Sequence, residues 1–193
     1  MGVSRRILMA GALLSLAACG GGGGGGTSPQ PSQPAKAAGL VYTDPAGSGF
    51  RLIRDAGSTN TKLILRLVGP AASTGRGVAF TFMVDPALAD LVKVADADPE
   101  FVQNGEAFVL GDAPRFLKGI KQNGTLRVTV SQKGQGSARA LDAALLKVAI
   151  QFKAAAGLSA GTAIPISVTE GEYLPATGGP VAMTVSTGSL KAQ

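Results

Sequence analysis

The chain of 193 residues contains no histidine, no tryptophan and one cysteine, and only two of its residues are tyrosine. Without histidine there is no imidazole base, no Ser-His or Cys-His nucleophile pair, and none of the commonest metal ligand. A lone cysteine permits no internal disulfide, so any folded domain must be held by its core. Aromatic residues make up 5% of the chain, too few for the rows of exposed rings that stack on sugars or bases. Charge is sparse as well. The 18 basic and 12 acidic residues give a net +6, scattered along the chain and well short of a nucleic-acid footprint. These absences argue against an enzyme: no catalytic residue, no cofactor and no nucleic-acid partner are expected.

What is present begins at the amino end. Arg5 and Arg6 precede an apolar stretch from Ile7 to Ala18, a positive segment followed by one too short to span a bilayer as a mature helix. The run Leu16-Ala17-Ala18-Cys19 closes that stretch and resembles the lipobox of bacterial lipoproteins, whose cysteine is acylated and becomes the first mature residue. The resemblance implies that residues 1–18 are a signal peptide, that Cys19 is the lipidation site, and that acyl chains hold the protein at a membrane. Each buried CH₂ contributes about 0.8 kcal/mol, so several chains anchor stably. Gly20 follows the cysteine, not aspartate, and resemblance to Gram-negative sorting signals then favours the outer membrane. Export would leave 16 basic residues against 12 acidic once Arg5 and Arg6 depart.

Seven glycines, Gly20 to Gly26, and the run from Thr27 to Pro34 form a low-complexity stretch. Residues 19–39 are expected to be a flexible linker of about 25 Å reach, ahead of one domain over residues 40–193.

From Leu40 onward the pattern has period two. Leu63, Leu65 and Leu67 alternate with polar residues, and Val78, Phe80, Phe82 and Val84 alternate with Ala79, Thr81 and Met83. Leu126, Val128 and Val130 alternate with Arg127 and Thr129. Shorter runs at Ile164–Val168 and Val181–Val185 repeat the pattern. One apolar face per run marks a half-buried strand. Turn residues separate the runs, among them Gly69-Pro70, Asp85-Pro86, Asn104-Gly105, Asn123-Gly124 and Gly178-Gly179-Pro180, and many short strands at this spacing indicate a β-sandwich. Arg139 to Ala156 is two-sided: its Ala and Leu content suits a helix, while Leu146, Val148, Ile150 and Phe152 alternate as in a strand. The all-β surroundings favour a strand over 144–153. A short helical turn is expected at Pro86–Asp90.

Taken in order, Gly77 to Tyr173 resembles a cohesin domain, a β-sandwich family related in architecture to certain carbohydrate-binding modules. The run from Val78 to Val94, with Val84-Asp85-Pro86 at its turn, resembles the family's strand ending in Tyr-Asp-Pro and the Val-rich strand after it; Val84 stands where tyrosine is usual. Asn123 to Val130 resembles the central strand, Leu145 to Lys153 the Leu-x-x-Ile-x-Phe-x-Val strand, and Gly161 to Ile166 the Gly-x-x-x-Pro-Ile approach to the last strands. The resemblance implies an all-β, cohesin-like jelly-roll sandwich of about nine strands that binds a protein partner. No dockerin-reading residues carry over one by one.

Several side-chain groups invite a function. If strands 77–84, 125–131 and 144–153 share one sheet, Thr81, Arg127, Thr129, Lys147 and Gln151 project from it together and form the expected partner surface. Asp96, Asp98 and Glu100 carry the oxygens calcium needs, although three near-consecutive carboxylates more often make a solvated turn, and no metal site is expected. Glu170 and Glu172 fall on one face of a strand, as any polar outer face would give. Arg115, Lys118 and Lys121 form a small basic group in a loop. Tyr42 and Tyr173 are the candidate sugar-stacking rings. Gly134-Gln135-Gly136-Ser137 lacks the lysine of a phosphate loop and is expected to be a turn. The expected function is a lipid-anchored protein-interaction module at the cell envelope. A carbohydrate-binding module, or an accessory lipoprotein of type II secretion or type IV pilus machinery, stands as an alternative.

Overall fold

A computed structural model describes residues 34–110, 117–132 and 137–193. Cys19, Arg115 and the glycines Gly134 and Gly136 lie outside the described residues. Fourteen strands account for most of the described chain: β1 (Leu40–Thr43), β2 (Phe50–Arg54), β3 (Lys62–Val68), β4 (Thr74–Val84), β5 (Ala89–Val92), β6 (Val102–Asn104) and β7 (Leu117–Gln122) in its first part, then β8 (Thr125–Ser131), β9 (Arg139–Ala140), β10 (Ala144–Phe152), β11 (Ile166–Pro175), β12 (Val181–Ala182), β13 (Val185–Ser186) and β14 (Ser189–Ala192). The described helical structure is a single 3₁₀ turn at Ala154–Ala156.

The strands form two main sheets. The first runs β13-β2-β3-β10-β5, with β6 also on β10; the second runs β12-β11-β4-β8-β7, with β9 also on β4. A separate two-stranded ribbon, β1 with β14, ties the first strand to the last. Between the sheets lies one core to which both contribute: Leu52, Leu63, Leu65, Leu67, Val148 and Ile150 from the first, and Val78, Phe80, Phe82, Leu126, Val128 and Val130 from the second. This is the all-β sandwich expected from the alternation, with extra two- and three-residue edge strands beyond the expected nine.

Local chemistry explains the register. Asn123 and Gly124 both take positive φ, 45° and 77°, as a two-residue type I′ hairpin requires, and Gln122 pairs with Thr125 across it. Asp85 closes the turn after β4: its carboxylate accepts the Ala87 N–H at 2.9 Å, and its carbonyl accepts those of Leu88 and Ala89. The turn covers Pro86–Leu88 without a helix, and Ala89 and Asp90, expected in a helical turn, open β5. The ambiguous segment is strand β10. Its outward Ala149 is as buried as its inward Ile150, so both faces are apolar and the alternation is partly masked, which is what made a helix conceivable. A register shift between Ala144 and Leu146 lets Leu145 be buried beside Leu146.

Residues expected in the linker are part of the fold. Ala37 donates its N–H to Leu158, Ala38 and Gly39 donate to Gln193, and Ala37 is buried. Lys118 and Lys121, expected in a loop, lie on strand β7, which is hard to see in sequence because Gly119 is its one fully buried position.

Tyr42 pins the terminal ribbon to the first sheet. Its hydroxyl donates to the Leu52 carbonyl at 2.8 Å and accepts the Gly188 N–H at 2.7 Å. Burial pushes the phenol up to about 12, against the Gly188 N–H, which favours the phenolate. Because the folded pKa is raised, the stabilisation is complete below pH 10, the ordinary tyrosine value, and is lost as pH climbs toward 12. Tyr42→Phe orphans the Leu52 carbonyl and the Gly188 N–H and is expected to cost about 1–3 kcal/mol at neutral pH. Urea unfolding across pH should show the gap between variant and wild type closing above pH 10.

Candidate protein-docking face

On the second sheet, inward and outward positions separate cleanly. Thr81 of β4 stands opposite Arg127 of β8, and Ala79 opposite Thr129. On the far side of β8, Ile120 of β7 stands opposite Arg127, and Lys118 opposite Thr129. On the far side of β4, Thr169 of β11 faces Thr81, and Glu172 faces Ala79. The outer face therefore mixes small and hydroxyl side chains with the charged Arg127, Lys118 and Glu172. Two large apolar side chains stand in solvent on it: Ile120 is 64% exposed and Met83 41%.

The middle of that face is shaped by an irregularity in β11. The register with β4 shifts between Thr169 and Glu172, and Glu170 takes φ of 51°, a left-handed conformation that non-glycine residues rarely adopt. Gly171 has no room for a side chain, because its backbone carbonyl accepts the Met183 N–H at 2.8 Å and Met183 crowds it. The bulge aims Glu170 over β4, where its Oε2 accepts the Thr81 hydroxyl at 2.7 Å. Glu170, Thr81, Arg127 and Thr129 then line one depression of about 260 Å³. Glu170 and Glu172 are thus separated by a bulge; they are not neighbours on a regular strand.

The expected partner surface is corrected in part. Thr81, Arg127 and Thr129 do share this outer face, but β10 belongs to the first sheet, between β3 and β5. Lys147 and Gln151 therefore project from the opposite side of the sandwich. The cause is connectivity: β10 pairs antiparallel with β3 and β5, not with β8. Period two fixes which side chains point inward but not which sheet a strand joins.

Other candidate groups resolve into structural roles. Asp98 accepts the Ala95 N–H at 2.8 Å, Asp96 lies 3.6 Å from Lys62, and Glu100 pairs with Lys118 at 2.8 Å and accepts the Gly119 N–H at 3.1 Å. The three carboxylates face three different partners, and no group of three or more ligating side chains assembles among the described residues. The Lys118 contact, with the Gly119 N–H, holds the Glu100 carboxyl below its ordinary value despite burial. Lys121 bonds the Leu91 carbonyl at 2.7 Å and lies over the Phe101 ring. Both tyrosines are built into the fold: Tyr42 is buried, and Tyr173 packs against Phe50 with ring centroids 5.3 Å apart and planes tilted by 43°. No aromatic ring lies on the outer face of the second sheet among the described residues.

No protein-family model and no curated protein sequence matches the chain. Solved structures do. The sixth cohesin of scaffoldin B from Acetivibrio cellulolyticus, solved with a dockerin, matches with a TM-score of 0.52 at 14% identity, over 74% of this chain and 97% of that one. A type II cohesin from the cellulosome of the same organism gives 0.53 at 11%, over 75% and 95%. A cohesin from a type I cohesin–dockerin complex of Clostridium thermocellum gives 0.51 at 11%, over 77% and 96%. The fold of residues 34–193 is that of a cohesin-like β-sandwich.

Proposed function

We propose that this chain is a lipoprotein, acylated at Cys19, that presents a non-catalytic, cohesin-like protein-interaction module at the cell envelope, at the outer membrane of a Gram-negative cell. The observation that carries the recognition half is the outer face of the second sheet. Small and hydroxyl residues, bordered by Lys118 and Glu172 and with Ile120 and Met83 exposed among them, make a surface suited to being covered by protein. Arg127 in its middle supplies an anchor of a type enriched at binding hot spots. The cohesins of similar fold were solved with dockerins, and a protein partner of the dockerin kind suits such a face. Sugar recognition is disfavoured, because among the described residues no ring is presented there for a pyranose to stack on.

The test is an affinity measurement. The immobilised chain is used to capture its partner from detergent-solubilised envelopes, the partner is identified by mass spectrometry, and its binding is then measured against variants. Ile120→Asp and Arg127→Glu should each weaken binding at least about tenfold, while Gln151→Ala on the opposite side leaves it unchanged. Equal affinity for all three overturns the assignment of this face. For the anchor, intact mass of the membrane-extracted protein should show acyl additions that Cys19→Ser removes; an unmodified mass overturns that half alone.

A further inference from the structure

The outer face of the first sheet carries an arrangement that docking on the second sheet does not use. Arg66 on β3 stands directly opposite Lys147 on β10, and like charges so placed repel. One carboxylate serves them. Asp55 places its Oδ2 3.1 Å from Lys147 Nζ, and its Oδ1 accepts the Gly57 N–H at 3.0 Å. Burial works to raise that carboxyl and is outweighed by Gly57, Lys147 and the field of Arg66, so it stays ionised with both oxygens engaged.

Arg66 is left without an acceptor. Its Nε is buried and bonded to nothing among the described residues, and a buried donor in that state is one that native proteins normally supply with a water, an ion or a ligand. Beside it, Arg54, Asp55, Ala56 and Arg66 line an open cavity of about 380 Å³. The Arg54 backbone N–H is held by Asp44 at 2.7 Å, which fixes the main chain of an exposed residue that lines the cavity. Lys147 and Arg66 thus flank one carboxylate, and Arg54 lines the same cavity.

We propose that this cavity is an oxyanion site in which Arg54 and Arg66 hold a phosphate group. A guanidinium fork matches two phosphate oxygens, and a phosphate charge near −2 balances the excess of Arg54, Arg66 and Lys147 over Asp55. The phosphate is either the free ion or the headgroup of an anionic lipid. The site is on the opposite side of the sandwich from the docking face and does not depend on that reading.

The probe is inorganic phosphate, titrated into the ¹⁵N-labelled full chain carrying Cys19→Ser, with the arginine Nε–H signals observed by NMR. A saturable shift of the Arg66 signal, with a Kd on the order of 1 mM, is expected. Arg54→Gln, at an exposed position where folding is not at risk, should weaken it about tenfold; Arg66→Lys should do the same by keeping the charge and losing the fork. Arg139→Gln should leave it unchanged. Vesicles of phosphatidylcholine with about one-third phosphatidylglycerol separate the two sources. Sedimentation with them that Arg54→Gln weakens assigns the headgroup; a phosphate shift without such sedimentation assigns the free ion. No saturable shift up to about 20 mM phosphate, or a shift of the same size in Arg54→Gln and Arg66→Lys, overturns the site.

Discussion

Phe82→Ala is expected to remove about 3–5 kcal/mol of folding stability. Phe82 is completely buried on the inner face of β4, paired to Leu126 of β8 on one side and Val168 of β11 on the other. Its ring is therefore surrounded by the strands that build the second sheet, and the void left behind cannot collapse without breaking their register. Domains of this size are stable by about 5–15 kcal/mol, and no disulfide within the described residues offsets the loss. The neighbouring Met83→Ala removes a side chain that points outward, and it should fall within about 0.5 kcal/mol of wild type. Urea denaturation of the two variants checks both. Similar losses at the two positions would mean that the inward and outward assignment along β4 is wrong.

That pair of residues also shows what was legible in the sequence. Val78, Phe80, Phe82 and Val84 alternate with Ala79, Thr81 and Met83, and the burial of β4 follows the alternation except at Thr81, which faces outward yet is buried under Glu170. Strand β8 was readable to the residue, because Thr125–Ser131 has the clearest alternation and starts from an Asn-Gly turn. These are local signals, and local signals survive folding. Sheet membership is not local. Lys147 and Gln151 carry the same polar alternation as Arg127 and Thr129, yet β10 pairs with β3 across the intervening 75 residues of chain between Val68 and Ala144, and nothing in either strand announces that partner.

The second sheet's site was half legible for the same reason. Arg127 and Thr129 could be named from alternation, but Ile120 could not, since β7 has charged or polar residues at three of its six positions and a glycine at a fourth, with no apolar period. Glu170 was visible only as a polar residue. The bulge that turns it over β4 depends on Gly171 meeting Met183, a contact made by a residue just past β12, later in the sequence. The oxyanion cavity had no sequence signal at all, because Arg54, Arg66 and Lys147 come from three strands whose order only the fold reveals.

Gly188→Ala is expected to cost about as much as the core truncation, by the opposite route. A Cβ at Gly188 would fall inside the van der Waals envelope of the Thr43 carbonyl oxygen and 2.8 Å from the Tyr42 ring carbon that bears the hydroxyl. The first of these is backbone in the β1–β14 ribbon and cannot swing aside. Relief requires β14 to move away from β1, which withdraws the Gly188 N–H from the Tyr42 hydroxyl and loosens the ribbon that ties the two ends of the domain together. Overpacking of about 1–3 kcal/mol then adds to about 1–3 kcal/mol for the orphaned groups. Gly49→Ala is the contrast: nothing lies within 4 Å of the added carbon, and restricting the unfolded chain should make it neutral or up to about 1 kcal/mol stabilising. Thermal and urea unfolding of the two alanine variants should therefore separate widely. Because Tyr42 loses its Gly188 partner in the first variant, amide exchange at Leu40–Thr43 should also accelerate there and stay at the wild-type rate in Gly49→Ala. Equal stability of the two variants would mean that the ribbon is not closed as described.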